Sequence, residues 1–210
     1  MPFLKKITIP SGTVGIWKLS ETSSELLSMV QLFESEKSVF QTIKNEKRKK
    51  EYLAVRALLK KMTGAGFKIT YEKSGCPKLL NYPVNISISH SAELAVIFLS
   101  EKNAGIDVEN TSRDIAQVAK RFLSETEMAH TEKSPDKQTM QIIYWGAKEA
   151  IFKCTCEENI RFNNQIRILP FELNNEGNFR GELTISDRQF RFDLGYFKVE
   201  NNVVVYCVEM

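Results

Sequence analysis

Histidine is almost missing from this 210-residue chain: there are two, His90 and His130, beside four scattered cysteines, Cys76, Cys154, Cys156 and Cys207. No zinc-ligand spacing can be assembled from them, and no pattern supports a Cys–His nucleophile. Glycine is sparse, with ten residues, and none builds a Walker phosphate loop or a dinucleotide-binding fingerprint. No apolar run approaches a membrane span, and the opening Met-Pro-Phe-Leu-Lys-Lys lacks the apolar stretch of a secretory signal, so a cytoplasmic location without membrane contact is expected. Charge of one sign is not in excess either. A formal net charge of +3 with 26% charged residues excludes a bulk nucleic-acid coat. The length leaves ample material for one large domain or two small lobes.

What is present begins with Ala104-Gly-Ile-Asp-Val-Glu-Asn110. Read as a strand, its period of two places Asp107 and Glu109 on one face and Ile106 and Val108 on the other. Two like charges on a half-buried strand repel, and a divalent cation would reconcile them. Downstream, Lys137 to Cys154 is apolar almost all round, as in a buried helix. Yet Glu149 and Lys153 stand on it one turn apart, in line with Trp145. An exposed pair of this kind is worth only a few tenths of a kcal/mol, roughly 0.2–0.5; its place on a buried helix favours a functional reading.

The remaining chain gives a coarse map. Gly12 to Leu19 reads as a strand, and Thr22-Ser-Ser-Glu25 is a capping box opening a helix with Leu26, Val30 and Phe33 on one face. A helix from about Lys44 to Met62 stops at Thr63-Gly-Ala-Gly66. Phe67, Ile69 and Tyr71 alternate as a strand, as do Val84, Ile86 and Ile88, the latter pairing with Leu94–Leu99. Helices are expected near Ile115 to Phe122 and after Ser124-x-x-Glu127, with strands from about Arg161 onward. Helices and strands mix without a βαβ rhythm, which predicts an α+β fold with antiparallel sheets. A break near Ser100-Glu-Lys-Asn103 divides the chain into 1–102 and 103–210.

Other segments suit phosphate. Ser89-His90-Ser91 ends a strand with hydroxyls and an imidazole, although a serine-rich turn with a structural histidine reads equally well. Lys47, Arg48, Lys49, Lys50, Arg56, Lys60 and Lys61 make the Lys44–Met62 helix strongly basic. Such a run is usually a solvated face, and otherwise a phosphate clamp or a docking patch for an acidic protein. Together these features describe a divalent metal held by separated carboxylates beside groups that bind phosphates, a phosphoryl-type transferase whose nucleophile comes with its substrate.

At these residues the chain resembles the phosphopantetheinyl transferases of the larger, two-lobed monomeric type. The ordered series is Gly75-x-Pro77, Ser89-His-Ser91, Gly105-Ile-Asp-Val-Glu109, Arg121-Phe-x-Ser-x-x-Glu127 and Trp145-x-x-Lys-Glu-Ala-x-x-Lys153. The resemblance implies a pseudo-twofold pair of α+β lobes with the site between them, coenzyme A as donor, and an apo acyl or peptidyl carrier protein as acceptor. It implies Mg²⁺, with Mn²⁺ as an alternative, on Asp107, Glu109 and Glu149. Glu149 and Lys153 would be catalytic, the base being Glu149, Lys153 or a metal-bound water, with Lys153 also neutralising pyrophosphate charge. Arg48, Arg56, Gly75, Pro77, Ser89 and His90 would contact coenzyme A, His90 near its 3′-phosphate, with Lys47 or Lys49 as substitutes for Arg48. Glu127 matches a family acid and equally a helix cap. Cys76 departs from the lysine often found between Gly75 and Pro77, and Lys73 or Lys78 would have to compensate. A monomer is expected. The competing readings are another Mg²⁺-dependent pyrophosphate-cleaving hydrolase and, from a different class, a nucleic-acid-binding module on the basic helix, which leaves the three acids unexplained.

Overall fold

The computed structural model describes residues 2–210. The chain divides into two compact units, the first ending at Glu101 and the second running Lys102–Met210. Both are α+β with antiparallel sheets, the class that the mixed pattern predicts.

The first unit comprises β1 (Phe3–Ile9), β2 (Gly12–Lys18), α1 (Ser23–Met29), α2 (Glu34–Thr42), α3 (Glu46–Thr63), β3 (Ile69–Tyr71), β4 (Pro77–Leu79), β5 (Asn85–His90) and β6 (Leu94–Ser100). Its four-stranded sheet has the order β1-β2-β6-β5. Helix α3 lays Leu53, Ala54, Ala57 and Leu58 into a core shared with Trp17, Ile97 and Leu99. Asn45 caps its start by accepting from the Arg48 N–H, and Gly64 ends it in the left-handed region at φ 75°, a conformation that favours glycine.

The Thr22 capping box forms as expected, but the helix it opens does not reach Phe33. It ends at Met29, Val30 is extended, and a new helix starts when the Glu36 carboxylate accepts the Phe33 N–H at 3.2 Å. Of the three expected face residues only Leu26 is buried in the core, and Phe33 is exposed. A cap formed from within the apparent periodicity interrupted it. Strand β1 escaped the sequence reading because it lies at the sheet edge with an irregular burial pattern.

The second unit comprises β7 (Ala104–Asn110), a 3₁₀ turn (Ala116–Val118), α4 (Ala119–Phe122), α5 (Glu125–Glu132), α6 (Lys137–Thr155), α7 (Phe162–Gln165), β8 (Ile166–Ile168), β9 (Glu176–Ile185), β10 (Arg188–Val199) and β11 (Asn202–Glu209). The sheet order is β7-β11-β10-β9-β8. Helix α6 packs Ile142, Ile143, Ala147, Ala150 and Ile151 into a core with Val203, Val205 and Leu194, each buried isoleucine contributing about 1.5–3 kcal/mol. Among the described residues no helix is long and apolar enough to cross a membrane.

Two glycines bring α6 down onto the edge of this sheet. A Cβ on Gly105 of β7 would collide with the Ala150 carbonyl of α6. A Cβ on Gly146 of α6 would stand 2.9 Å from the Val205 side chain and 3.5 Å from Asp107 Oδ2. Close approach of strand and helix therefore requires glycine at both places, and it aligns the partly exposed stripe of α6 with the acids of β7.

Candidate active site

That stripe is Trp145, Glu149, Phe152 and Lys153, the half-buried residues in the second half of a helix otherwise enclosed up to Cys154. Across from it, Asp107 and Glu109 pair in register with Val205 and Val203 of β11, so the period of two does put both acids toward α6. Lys153 Nζ donates to Asp107 Oδ1 at 2.7 Å and to the Ile106 carbonyl at 3.2 Å. The Trp145 indole N–H donates to Glu109 Oε1 at 2.8 Å, and Arg113 pairs with the same carboxylate while its guanidinium lies 5.5 Å from the Trp145 ring.

Excess negative charge marks this cluster. Burial raises the pKa of Glu149 to about 7, with Asp107 and Glu109 adding to the rise and Lys153 and Arg113 opposing it. Glu109 is also raised, first by burial and then by Asp107, against its bonds with Arg113 and Trp145. The three carboxylates thus sense one another, and two cations do not balance them.

An all-oxygen carboxylate set is the donor chemistry of a hard divalent ion such as Mg²⁺, and the missing Cβ at Gly146 keeps space beside Asp107 Oδ2. Asp107, Glu109 and Glu149 therefore fit such an ion in kind and charge. Among the described residues no group of three acidic, histidine or cysteine side chains is already gathered as a metal site; here Lys153 and Arg113 engage the acids.

Glu127, read from sequence as either a cap or a family acid, is a cap and more. Oε2 accepts the Ser124 N–H at 2.8 Å and Lys148 Nζ at 2.7 Å, and Oε1 accepts the Ile168 N–H at 2.8 Å. Lys148, fully buried, also donates to the Phe162 and Ile166 carbonyls. Burial lowers its pKa and Glu127 opposes that shift.

In the first unit, Arg48 and His90 do meet. Arg48 Nη1 lies 3.1 Å from His90 Nε2 and 3.0 Å from Glu51 Oε2, while His90 Nδ1 is 3.4 Å from Glu51 Oε1. They line a cavity of about 330 Å³ with Tyr52, Arg56 and Tyr71 among its other walls. Arg56 is less available than its sequence position suggests. It is buried, donates to Glu36 at 3.0 Å and to the Tyr52 carbonyl at 2.9 Å, and stacks on the Tyr52 ring. Gly75 and Pro77 are not among the cavity-lining residues. Gly75, at φ 84°, turns the β3–β4 hairpin, and Pro77 pairs with Tyr71, so they support the wall that Tyr71 forms. Ser89 is buried, and Ser91 Oγ accepts from the Glu93 and Leu94 N–H groups in the turn. Glu51 and Arg113 were missed. The i,i+3 spacing from Arg48 and the i,i+4 spacing from Glu109 were their available signals.

The sequence model of the 4′-phosphopantetheinyl transferase superfamily matches residues 103–208, half of the chain and the whole acidic cluster. A 4′-phosphopantetheinyl transferase of Bacillus subtilis is 34% identical over 92 residues, 42% of this chain and 41% of that protein. The 4′-phosphopantetheinyl transferase HetI of a Nostoc species is 26% identical over 179 residues, 74% of this chain and 73% of its own. The alignment thus spans less than half of the first relative's length and nearly three quarters of the second's.

Proposed function

The chain belongs to the 4′-phosphopantetheinyl transferase superfamily, and from that premise we propose that it transfers the 4′-phosphopantetheine group of coenzyme A to a serine of an apo acyl or peptidyl carrier protein, releasing adenosine 3′,5′-bisphosphate. The observation that carries this reading is the mutual charging of Asp107, Glu109 and Glu149 beside Lys153, inside the matched segment. Such a site suits a doubly charged cation and a pyrophosphate.

Asp107, Glu109 and Glu149 would hold Mg²⁺. When bound, the ion neutralises pyrophosphate charge and the charge that develops on the leaving group. Lys153, aimed by Asp107 and the Ile106 carbonyl, presents an ammonium to a phosphate oxygen. The carrier serine Oγ bonds to the pantetheine-bearing phosphorus as the bond from that phosphorus to the bridging oxygen breaks. Its hydroxyl proton passes to Glu149 as the general base. In the first unit, Arg48 and His90 would hold the 3′-phosphate in the Tyr71-walled cavity.

Incubation with coenzyme A, Mg²⁺ and a panel of apo carrier proteins, read by intact-protein mass, tests the proposal. A carrier gaining the phosphopantetheine mass is the expected result. Free phosphopantetheine with unmodified carriers would instead identify a hydrolase, and salt-sensitive nucleic-acid binding without Mg²⁺ would favour the basic helix as a binding module.

A further inference from the structure

Glu51 is the anomaly of the phosphate-binding cavity. It is a carboxylate only 3% exposed, placed among the groups that would receive an anion: Arg48 at 3.0 Å, His90 at 3.4 Å and Lys47 at 3.7 Å. Simple electrostatics says that it should weaken phosphate binding. Hydrogen-bond chemistry says otherwise. A guanidinium only donates, so the His90 Nε2 facing Arg48 Nη1 at 3.1 Å must accept. The ring proton is then on Nδ1, toward Glu51 Oε1. A phosphate dianion is acceptor-only, so the Nε2 that accepts from Arg48 has nothing to offer it. Binding at that nitrogen requires a second ring proton, and the carboxylate at Nδ1 stabilises the resulting imidazolium.

We propose that Glu51 is a positioning residue that makes this cavity a proton-coupled phosphomonoester site: it fixes the Nδ1–H form of His90, so that phosphate binding draws a proton from solvent onto Nε2 while Arg48 turns from the ring to the phosphate. The inference rests on the reading that Arg48 and His90 hold the 3′-phosphate. Among the described residues, the charged and titratable groups around His90 include Arg48, Glu51 and, through Glu51, Lys47 on α3; Tyr52 and Arg56 of α3 and Tyr71 of β3 line the same cavity. Burial pushes Tyr52 up to about 12, so its hydroxyl supplies no proton near pH 8, and Arg56 is engaged by Glu36.

The test is calorimetry on the full chain at pH 8 and pH 6, with Mg²⁺ constant, in buffers of different ionisation heat. The probes are coenzyme A and its 3′-dephospho form. At pH 8 a phosphomonoester is already dianionic, its second pKa being about 6, so the difference between donors reports protein groups. Wild type should take up about one more proton with coenzyme A than with the dephospho form. Glu51→Gln should lose most of that uptake and bind coenzyme A about tenfold more weakly at pH 8, one pKa unit of imidazolium stabilisation, with dephospho binding unchanged and the loss gone at pH 6. Nitrogen-detected NMR of the imidazole, assigned by its disappearance in His90→Gln, should show Nδ1–H in the free protein and both nitrogens protonated with coenzyme A, whether or not Glu51→Gln folds. Equal proton uptake from both donors, Glu51→Gln binding as tightly or more tightly at pH 8, or Nε2–H in the free protein overturns the proposal. If His90→Gln keeps its preference for the 3′-phosphate, the phosphate assignment itself fails. If His90→Gln loses that preference while Glu51→Gln behaves as wild type, only the role of Glu51 fails.

Discussion

Lys148 and Lys153 leave α6 little more than a turn apart, and each reaches a carboxylate at 2.7 Å, Glu127 for the first and Asp107 for the second. Lys148 is fully buried, and its three N–H bonds go to three acceptors: Glu127, the Phe162 carbonyl and the Ile166 carbonyl. Both Glu127 oxygens are likewise engaged. Lys153 is 28% exposed, and its carboxylate partner stands beside two further acids with raised pKa values. A polar cluster whose donors and acceptors are matched fixes structure. One with surplus charge lowers the stability of the free protein and is retained where a ligand of opposite charge relieves it. The first pair is a structural clamp, and the second is the one that the proposed function uses as a site.

The largest expected effect breaks that comparison directly. Lys148→Met leaves a buried Glu127 charge and two carbonyls without their donor, and should cost about 3–5 kcal/mol of stability. Lys153→Met should cost less stability than Lys148→Met, because Lys153 is 28% exposed and water can reach the place its ammonium leaves, yet lower transfer at least about a hundredfold, as when a key electrostatic stabiliser is removed. Denaturant unfolding and carrier-modification rates on the two variants check both. If Lys148→Met unfolds at the wild-type midpoint, or Lys153→Met turns over normally, the assignment of roles is reversed or wrong.

Local patterns showed much of this in the sequence. The alternation at 104–110 put Asp107 and Glu109 on the face that meets α6, and the stripe Trp145–Glu149–Lys153 emerged from a helix otherwise apolar. The capping boxes at Thr22 and Ser124 formed. Partners distant in sequence were hidden. The capping-box signal at Ser124 looks the same whether or not Glu127 also binds Lys148, because each role uses its own lone pairs. The charge of Lys148 suggests a surface position, and only packing shows otherwise. Glu51 sits in a run so basic that its own carboxylate escaped notice. Apolar spacing alone overextends the helix opened by Thr22, because it continues past Val30 while Glu36 already caps the next helix.

A middle-sized effect sharpens the notion of surplus charge. Glu149 titrates at about 7 in the folded chain against an ordinary 4.5. Between those values the folded protein keeps a proton that the unfolded chain has lost, so stability from this group falls as pH rises from about 4.5 to 7 and stays lower above. Glu149→Gln should therefore stabilise the metal-free protein by about 2 kcal/mol at pH 8, after allowing for partial exposure, and by little at pH 4.5. Mg²⁺ should raise the wild-type Tm at pH 8 and raise it less in the variant. Thermal melts across pH with and without Mg²⁺ measure this. A destabilised Glu149→Gln at pH 8 would place that residue with Glu127, among the matched groups.

The smallest effect concerns Trp145, which belongs partly to each kind of cluster. Its ring meets Phe122 edge-on at 5.1 Å and Phe162 at 5.8 Å, as a core residue would, while its N–H serves Glu109. Trp145→Phe keeps most of the aromatic contact and deletes the donor. Stability should fall by about 1 kcal/mol, in the range of one lost hydrogen bond with slight cavity formation. The sharper consequence lies at Glu109. Its pKa is already raised by burial and Asp107, and the indole bond is one of the forces opposing that rise. Without it the carboxylate protonates at higher pH, so the acid limb of the transfer rate should move upward while the rate well above it stays within about fivefold of wild type, the scale of about one kcal/mol. A pH–rate profile over the acid limb is the measurement. An unmoved limb with a lower plateau would mean that Trp145 acts on this site only through packing, and that the indole N–H belongs with the clamp.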